Sequence, residues 1–122
     1  MEEQLIGFET AKLAKQKGFD WPTTYCKDEH DYQYEQHFVP RNFNTKEYEP
    51  RVSAPTQSLL QKWLREEHSL HIELTPTVIK EGYWYSCVYH LEEFYTILVD
   101  RKKDLSYEEA LEAGLKKALE LI

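Results

Sequence analysis

Between Ser53 and Ile122 the spacing of apolar residues changes twice, and this alternation of periods restricts the fold more tightly than any motif in the chain. Leu59, Leu60, Trp63 and Leu64 recur at helical intervals, with Lys62, Arg65 and Glu66 on the opposite side. After His68 the period drops to two: Leu70, Ile72 and Leu74 share one parity, His71, Glu73 and Thr75 the other. Helical spacing returns after Ser106, where Leu111, Leu115, Ala118, Leu119 and Ile122 fall three and four residues apart. Such a chain must lay amphipathic helices on half-buried strands.

Local signals set the expected boundaries. Ser53 is a candidate N-cap, with Pro55 in the first turn, where a missing N–H costs nothing. The strand from Leu70 should stop before Pro76. Glu81-Gly82 introduces a run from Tyr83 to His90, and the polar pair Glu92-Glu93 joins it to a second from Phe94 to Val99, which predicts an antiparallel hairpin. In the first run Tyr83, Tyr85, Cys87 and Tyr89 oppose Trp84, Ser86, Val88 and His90, and alternation alone leaves open which set faces the core. The final helix has the clearest start: Ser106 and Glu109 form a capping box, and Glu108 and Glu109 sit at the positive end of the helix dipole.

Toward the N-terminus, Leu5, Ile6, Phe8, Leu13 and Ala14 predict a helix over Glu2–Lys17, ended by Gly18. Tyr32, Tyr34 and Phe38 alternate with Gln33, Glu35 and His37 and predict a strand over Tyr32–Phe38, with loop around it. The expected fold class is α+β, one domain over 1–122. A helix and a Tyr-rich strand and loop extension over 1–52 precede an α-β-β-β-α core over 53–122, whose three- or four-stranded antiparallel sheet is packed by helices on one face.

Charge narrows the partners. The chain has 15 Lys and Arg against 22 Asp and Glu, a formal charge of −7, so its average surface repels phosphate backbones and anionic lipid. The helix–three strands–helix order is that of double-stranded-RNA-binding domains, in which lysines at the start of the last helix meet phosphates. Here that turn carries Glu108 and Glu109, and the basic run Arg101-Lys102-Lys103 before it reads as a solvated turn, so nucleic acid is the disfavoured alternative. No apolar run approaches the roughly 18 residues of a membrane span, and the start Met1-Glu2-Glu3-Gln4-Leu5-Ile6 has no basic leader before an apolar stretch. A cytoplasmic protein without membrane contact is expected.

No catalytic, cofactor-binding or metal-binding residue is assigned. Gly7, Gly18, Gly82 and Gly114 are isolated, which excludes a glycine-rich phosphate loop. Cys26 and Cys87 read as buried thiols, neither beside a helix start that would activate it. Cys26, Asp28, Glu29, His30, Asp31 and His37 lack the spacing of a zinc or calcium motif; only a cleft gathering His30, His37 and carboxylates would favour the second alternative, a metal-assisted hydrolase. His68 and His71 belong to different elements, and His68 complements the dipole at a helix end. The aromatic surplus, nine Tyr and three Trp, points instead to a contact surface built from Tyr83, Tyr85, Tyr89 and Trp84.

Three stretches resemble a group of small uncharacterised proteins of Bacteroides-type gut bacteria and their phages and prophages. They are Thr10-Ala11-Lys12-Leu13-Ala14-Lys15 with Gly18-Phe19, the segment from Ser53 to Arg65, and Tyr107-Glu108-Glu109-Ala110-Leu111-Glu112-Ala113-Gly114-Leu115. The resemblance implies a genomic setting and supplies no activity and no site residues. Together these features lead to a phage- or prophage-associated accessory protein that acts by protein–protein contact, with homodimer formation through a free sheet edge compatible with the pattern. Ser106→Ala should remove about 1 kcal/mol of stability and lower Tm by a few degrees. An unchanged melting curve would refute the cap.

Overall fold

Three helices and two three-stranded antiparallel sheets make up the computed structural model, which describes residues 4–29, 33–78, 81–100 and 103–122. Contacts divide the chain into two compact units, one ending at Leu59 and the other beginning at Leu60.

In the first unit, helix α1 (Phe8–Gln16) packs against strand β3 (Val52–Ser53). It starts later than the apolar spacing predicts. Leu5 forms a bridge with Thr56, and the Ile6 N–H donates to the Pro55 carbonyl at 3.1 Å, so these two residues run as extended chain, Ile6 buried in the core and Leu5 half-buried beside it. Gly18 ends the helix as expected, at φ +93°, a left-handed backbone that glycine adopts without a Cβ clash. Strands β1 (Thr23–Lys27) and β2 (Glu35–Arg41) complete a sheet in the order β2-β1-β3.

Of this sheet only β2 overlaps the strand predicted over Tyr32–Phe38, of which Tyr32 lies outside the described residues. Nearly all of β2 is exposed, so its alternation does not mark a half-buried strand; it is an edge strand, and Pro40, with no N–H to offer a further strand, suits that position. Strands β1 and β3 replace predicted loop. Ser53 is not a helix cap: it lies buried in β3 opposite Cys26, and its hydroxyl accepts from the Phe43 N–H at 2.9 Å. Helix α2 (Gln57–His68) begins later, with Thr56 as its cap, the hydroxyl accepting from the Leu59 N–H at 3.2 Å.

In the second unit β4 (Leu70–Pro76), β5 (Trp84–His90) and β6 (Thr96–Val99) pair in sequence order, with Ile72 opposite Val88 and Val88 opposite Ile97. Strand β4 runs through Pro76, paired with Trp84, one residue beyond the expected stop. Strand β6 begins after Phe94, which falls in the turn. The Gln61 amide on α2 donates to the Ile72 carbonyl at 2.7 Å.

Helix α3 (Tyr107–Glu120) has the predicted capping box: the Glu109 N–H donates to Ser106 Oγ at 3.2 Å and the Ser106 N–H to Glu109 Oε1 at 3.0 Å. These bonds to Ser106 hold the Glu109 carboxyl below its ordinary value of 4.5. The box therefore contributes fully above that pH and is lost as acidification protonates Glu109. Its buried side packs on the sheet, where a Cβ at Gly114 would lie 2.7 Å from Ser86 Oγ and 2.8 Å from Ile72 Cγ2. This close approach settles the face left open by the alternation. Ile72, Ser86 and Val88 turn to the helix, and Tyr85, Cys87 and Tyr89 turn away.

Gly114→Ala should force helix and sheet apart and destabilise by about 1–3 kcal/mol, read as a lower Tm. Ser86→Ala should be neutral or stabilising, because the buried Ser86 hydroxyl has no hydrogen-bond partner among the described residues to lose. A tolerated Gly114→Ala would contradict the close packing.

Candidate functional site

Two clusters concentrate the chemistry of the chain, one in each unit. In the first, antiparallel pairing sets Cys26 of β1 directly opposite Glu35 of β2, and His37, two residues along β2, projects from the same face. Cys26 Sγ lies 3.6 Å from His37 Nε2 and 3.9 Å from Glu35 Oε2, and His37 Nε2 lies 3.2 Å from Glu35 Oε1. Cys26 is fully buried, while the Glu35 and His37 side chains remain 44% and 31% exposed, so the cluster opens from the core toward solvent. Around it, Arg51 Nε donates to Glu35 Oε2 at 2.7 Å, and the Phe43 ring lies 4.6 Å from the imidazole, itself braced edge-on by Tyr48 at 5.0 Å.

Thiol and carboxylate both approach the same imidazole nitrogen. A nucleophile–base–orienter triad needs the two ring nitrogens to serve different neighbours, so this is not one. Burial first, then the Glu35 charge, push the Cys26 thiol up to about 11 against the partly opposing Arg51, which leaves it protonated and a poor nucleophile near neutrality. What remains is a convergence of sulfur, nitrogen and oxygen donors.

Of the residues after Cys26 weighed as a metal site, Asp28 and Glu29 do not join this cluster, and His30 and Asp31 lie outside the described residues. His68 rests edge-on against Trp63 and His71 stacks near-parallel to Tyr89, so the two histidines have separate ring partners. Glu35 and Arg51 were missed. Glu35 and His37 share a parity in the sequence, but their meeting with Cys26 depends on the register of β1 against β2, which no local pattern encodes. Tyr34, counted in the aromatic surplus, donates its hydroxyl to the Ile6 carbonyl at 2.8 Å.

The second cluster is the sheet face turned away from α3, together with the β5–β6 turn. The four residues predicted as a contact surface divide. Tyr85 and Tyr89 lie on this outer face with Leu98 and His71, whereas Trp84 has the parity of the helix face and meets Tyr107 at 5.1 Å, and Tyr83 precedes β5. Cys87, then burial, raise the Tyr89 phenol above its ordinary value of 10.0, so its hydroxyl stays a neutral donor.

The adjoining turn presents Leu91, 48% exposed, and Phe94, 89% exposed. It is tightly held: His90 Nδ1 accepts from the Glu92 and Glu93 N–H groups at 3.3 and 3.0 Å, and the Leu91 N–H donates to the Ser69 carbonyl at 2.8 Å. Phe94 has φ +57°, a backbone region that costs a bulky side chain energy and that glycine or asparagine would occupy more cheaply. Lys103 is ion-paired with Asp100 at 3.3 Å, while Arg101 and Lys102 lie outside the described residues.

No helix among the described residues is long and apolar enough to cross a membrane. No protein-family model, curated protein or solved structure matches the chain.

The thiol gives a chemical test. Because its folded value stands above the ordinary 9.0, its contribution to stability is complete below that pH and is lost as pH rises through about 11. Cys26 should resist iodoacetamide at pH 8 in the native protein, followed peptide by peptide with mass spectrometry. Glu35→Gln removes the charge that opposes the thiolate and should speed alkylation several-fold. An unchanged rate would show that Glu35 does not control the thiol.

Proposed function

We propose that the chain is a non-enzymatic accessory protein that works by protein–protein contact through the outer face of its second sheet and the turn beside it. One observation carries this reading: a large apolar ring, Phe94, is held almost wholly in solvent on a left-handed backbone by a turn rich in hydrogen bonds. Strain of this kind is more usual at functional positions than in inert turns. A rigid apolar anchor also loses little conformational entropy on binding, which is the property that makes contact residues effective.

Leu91, Leu98 and Tyr89 extend the apolar surface, and exposed Glu73, Glu92 and Glu93 supply its charged rim. The partner that fits is a protein with an apolar cleft for Phe94 and a basic border, in keeping with the formal charge of −7. The resemblance of three segments to small phage- and prophage-borne proteins supports an accessory role in that setting.

Phe94→Gly separates folding from contact. It should keep Tm unchanged or raise it, because glycine is at ease at this φ, while weakening partner binding by about 30-fold or more in Kd. Affinity capture with wild type and variant side by side, followed by titration of the captured partner at two salt concentrations, reads both effects. A partner retained equally by Phe94→Gly, or turnover of a substrate by the purified chain, would overturn the reading.

A further inference from the structure

The thiol, carboxylate and imidazole of the first unit have a geometry that ordinary hydrogen bonding explains poorly. If His37 Nε2 carries a proton, it can serve Glu35 Oε1 at 3.2 Å, and Cys26 Sγ is then left with a 3.9 Å approach to Glu35 Oε2. If Nε2 carries none, the thiol can donate to it at 3.6 Å, but Nε2 and Glu35 Oε1 then face each other with lone pairs across 3.2 Å. Either way three electron-rich atoms crowd together with at most one short hydrogen bond among them.

A tetrahedral zinc ion relates the same three donors more simply. Ordinary zinc–ligand bond lengths put sulfur and nitrogen about 3.6 Å apart, nitrogen and oxygen about 3.3 Å, and sulfur and oxygen about 3.5 Å. Two of the three separations match, with 3.6 Å between Sγ and Nε2 and 3.2 Å between Nε2 and Oε1; Sγ lies 3.9 Å from the other carboxylate oxygen, Oε2, and one ligand atom from each residue falls within 4.8 Å of the others. We infer that Cys26, Glu35 and His37 form a binding site for one divalent transition-metal ion of the zinc class, with a water molecule as fourth ligand on the solvent side.

The surroundings fit. Arg51 holds Glu35 Oε2, which leaves Oε1, the oxygen already beside Nε2, to act as a single-atom ligand. Phe43 lies against the imidazole and restrains its tilt. A thiolate and a carboxylate match the charge of a divalent ion, and sulfur with imidazole selects zinc or cobalt over magnesium or calcium. The thiol proton leaves to solvent when the metal enters.

The test uses the full chain, freed of metal by a chelator and titrated separately with Zn²⁺ and Co²⁺. Expected are one tightly bound ion per chain, a rise in Tm with Zn²⁺, and for Co²⁺ a thiolate charge-transfer absorption with the intense visible bands of a tetrahedral ion. Cys26→Ser should abolish the charge-transfer band. Because Cys26 is buried and that variant could unfold, His37→Ala and Glu35→Gln at the half-exposed positions provide the second arm, each expected to weaken binding by at least about 10-fold, as should Arg51→Met through its orienting role. His71→Ala combined with His90→Ala should leave binding unchanged. Absence of bound Zn²⁺, or binding that follows His71 and His90 instead of His37, overturns the proposal.

Discussion

Gly114 is the position on which the second unit depends. Any side chain there would run into Ser86 and Ile72 at less than 3 Å, so only a missing Cβ lets α3 settle this low on a sheet where Ile72, Val88 and Leu115 are all buried. The face that the helix covers also determines the face that it does not. Since side chains alternate along β5, burying Ser86 and Val88 obliges Tyr85 and Tyr89 to point the other way. The outer surface is thus fixed by a packing requirement on the opposite side of the sheet. The Ser86 hydroxyl, without a partner among the described residues, shows that this contact is a compromise, steric fit obtained with a polar atom left unsatisfied.

In the first unit the organising strand is β1, which pairs on both sides. Cys26, its fourth residue, has Glu35 across one ladder and Ser53 across the other. The central position buries the thiol, and the edge position of β2 leaves its two neighbours half in solvent. A soft donor on the inside and two harder donors on the outside are therefore a result of strand order. Arg51, just before β3, closes the arrangement over Glu35 at 2.7 Å.

Elements whose stability is local were legible in the sequence. Helix α3 was readable from its first residue because its cap, its acidic first turn and its apolar stripe all lie within the same segment. The alternation along β4 and β5 was equally plain, since each strand has one face on the core. Where partners are distant, reading failed. Thr23–Lys27 is too short to display a period, and Ser53 resembles an N-cap but is recruited by Cys26 and Phe43 into a strand. Leu5 and Ile6 look helical in isolation and are drawn into extended pairing by Pro55 and Thr56. The thiol cluster depends on cross-strand register, and the alternation along β5 shows which aromatic residues share a face but not which face the helix covers.

The backbone of Phe94 has a consequence for how variants of this chain should be compared. At φ +57° the residue that makes the turn most comfortable is not the one that puts a ring into solvent. Improvement of the fold at this site and retention of the ring are mutually exclusive, so a search guided only by thermal resistance would discard Phe94 early. Along this one turn, heat tolerance and retention of the exposed ring would rank the same set of sequences in opposite orders.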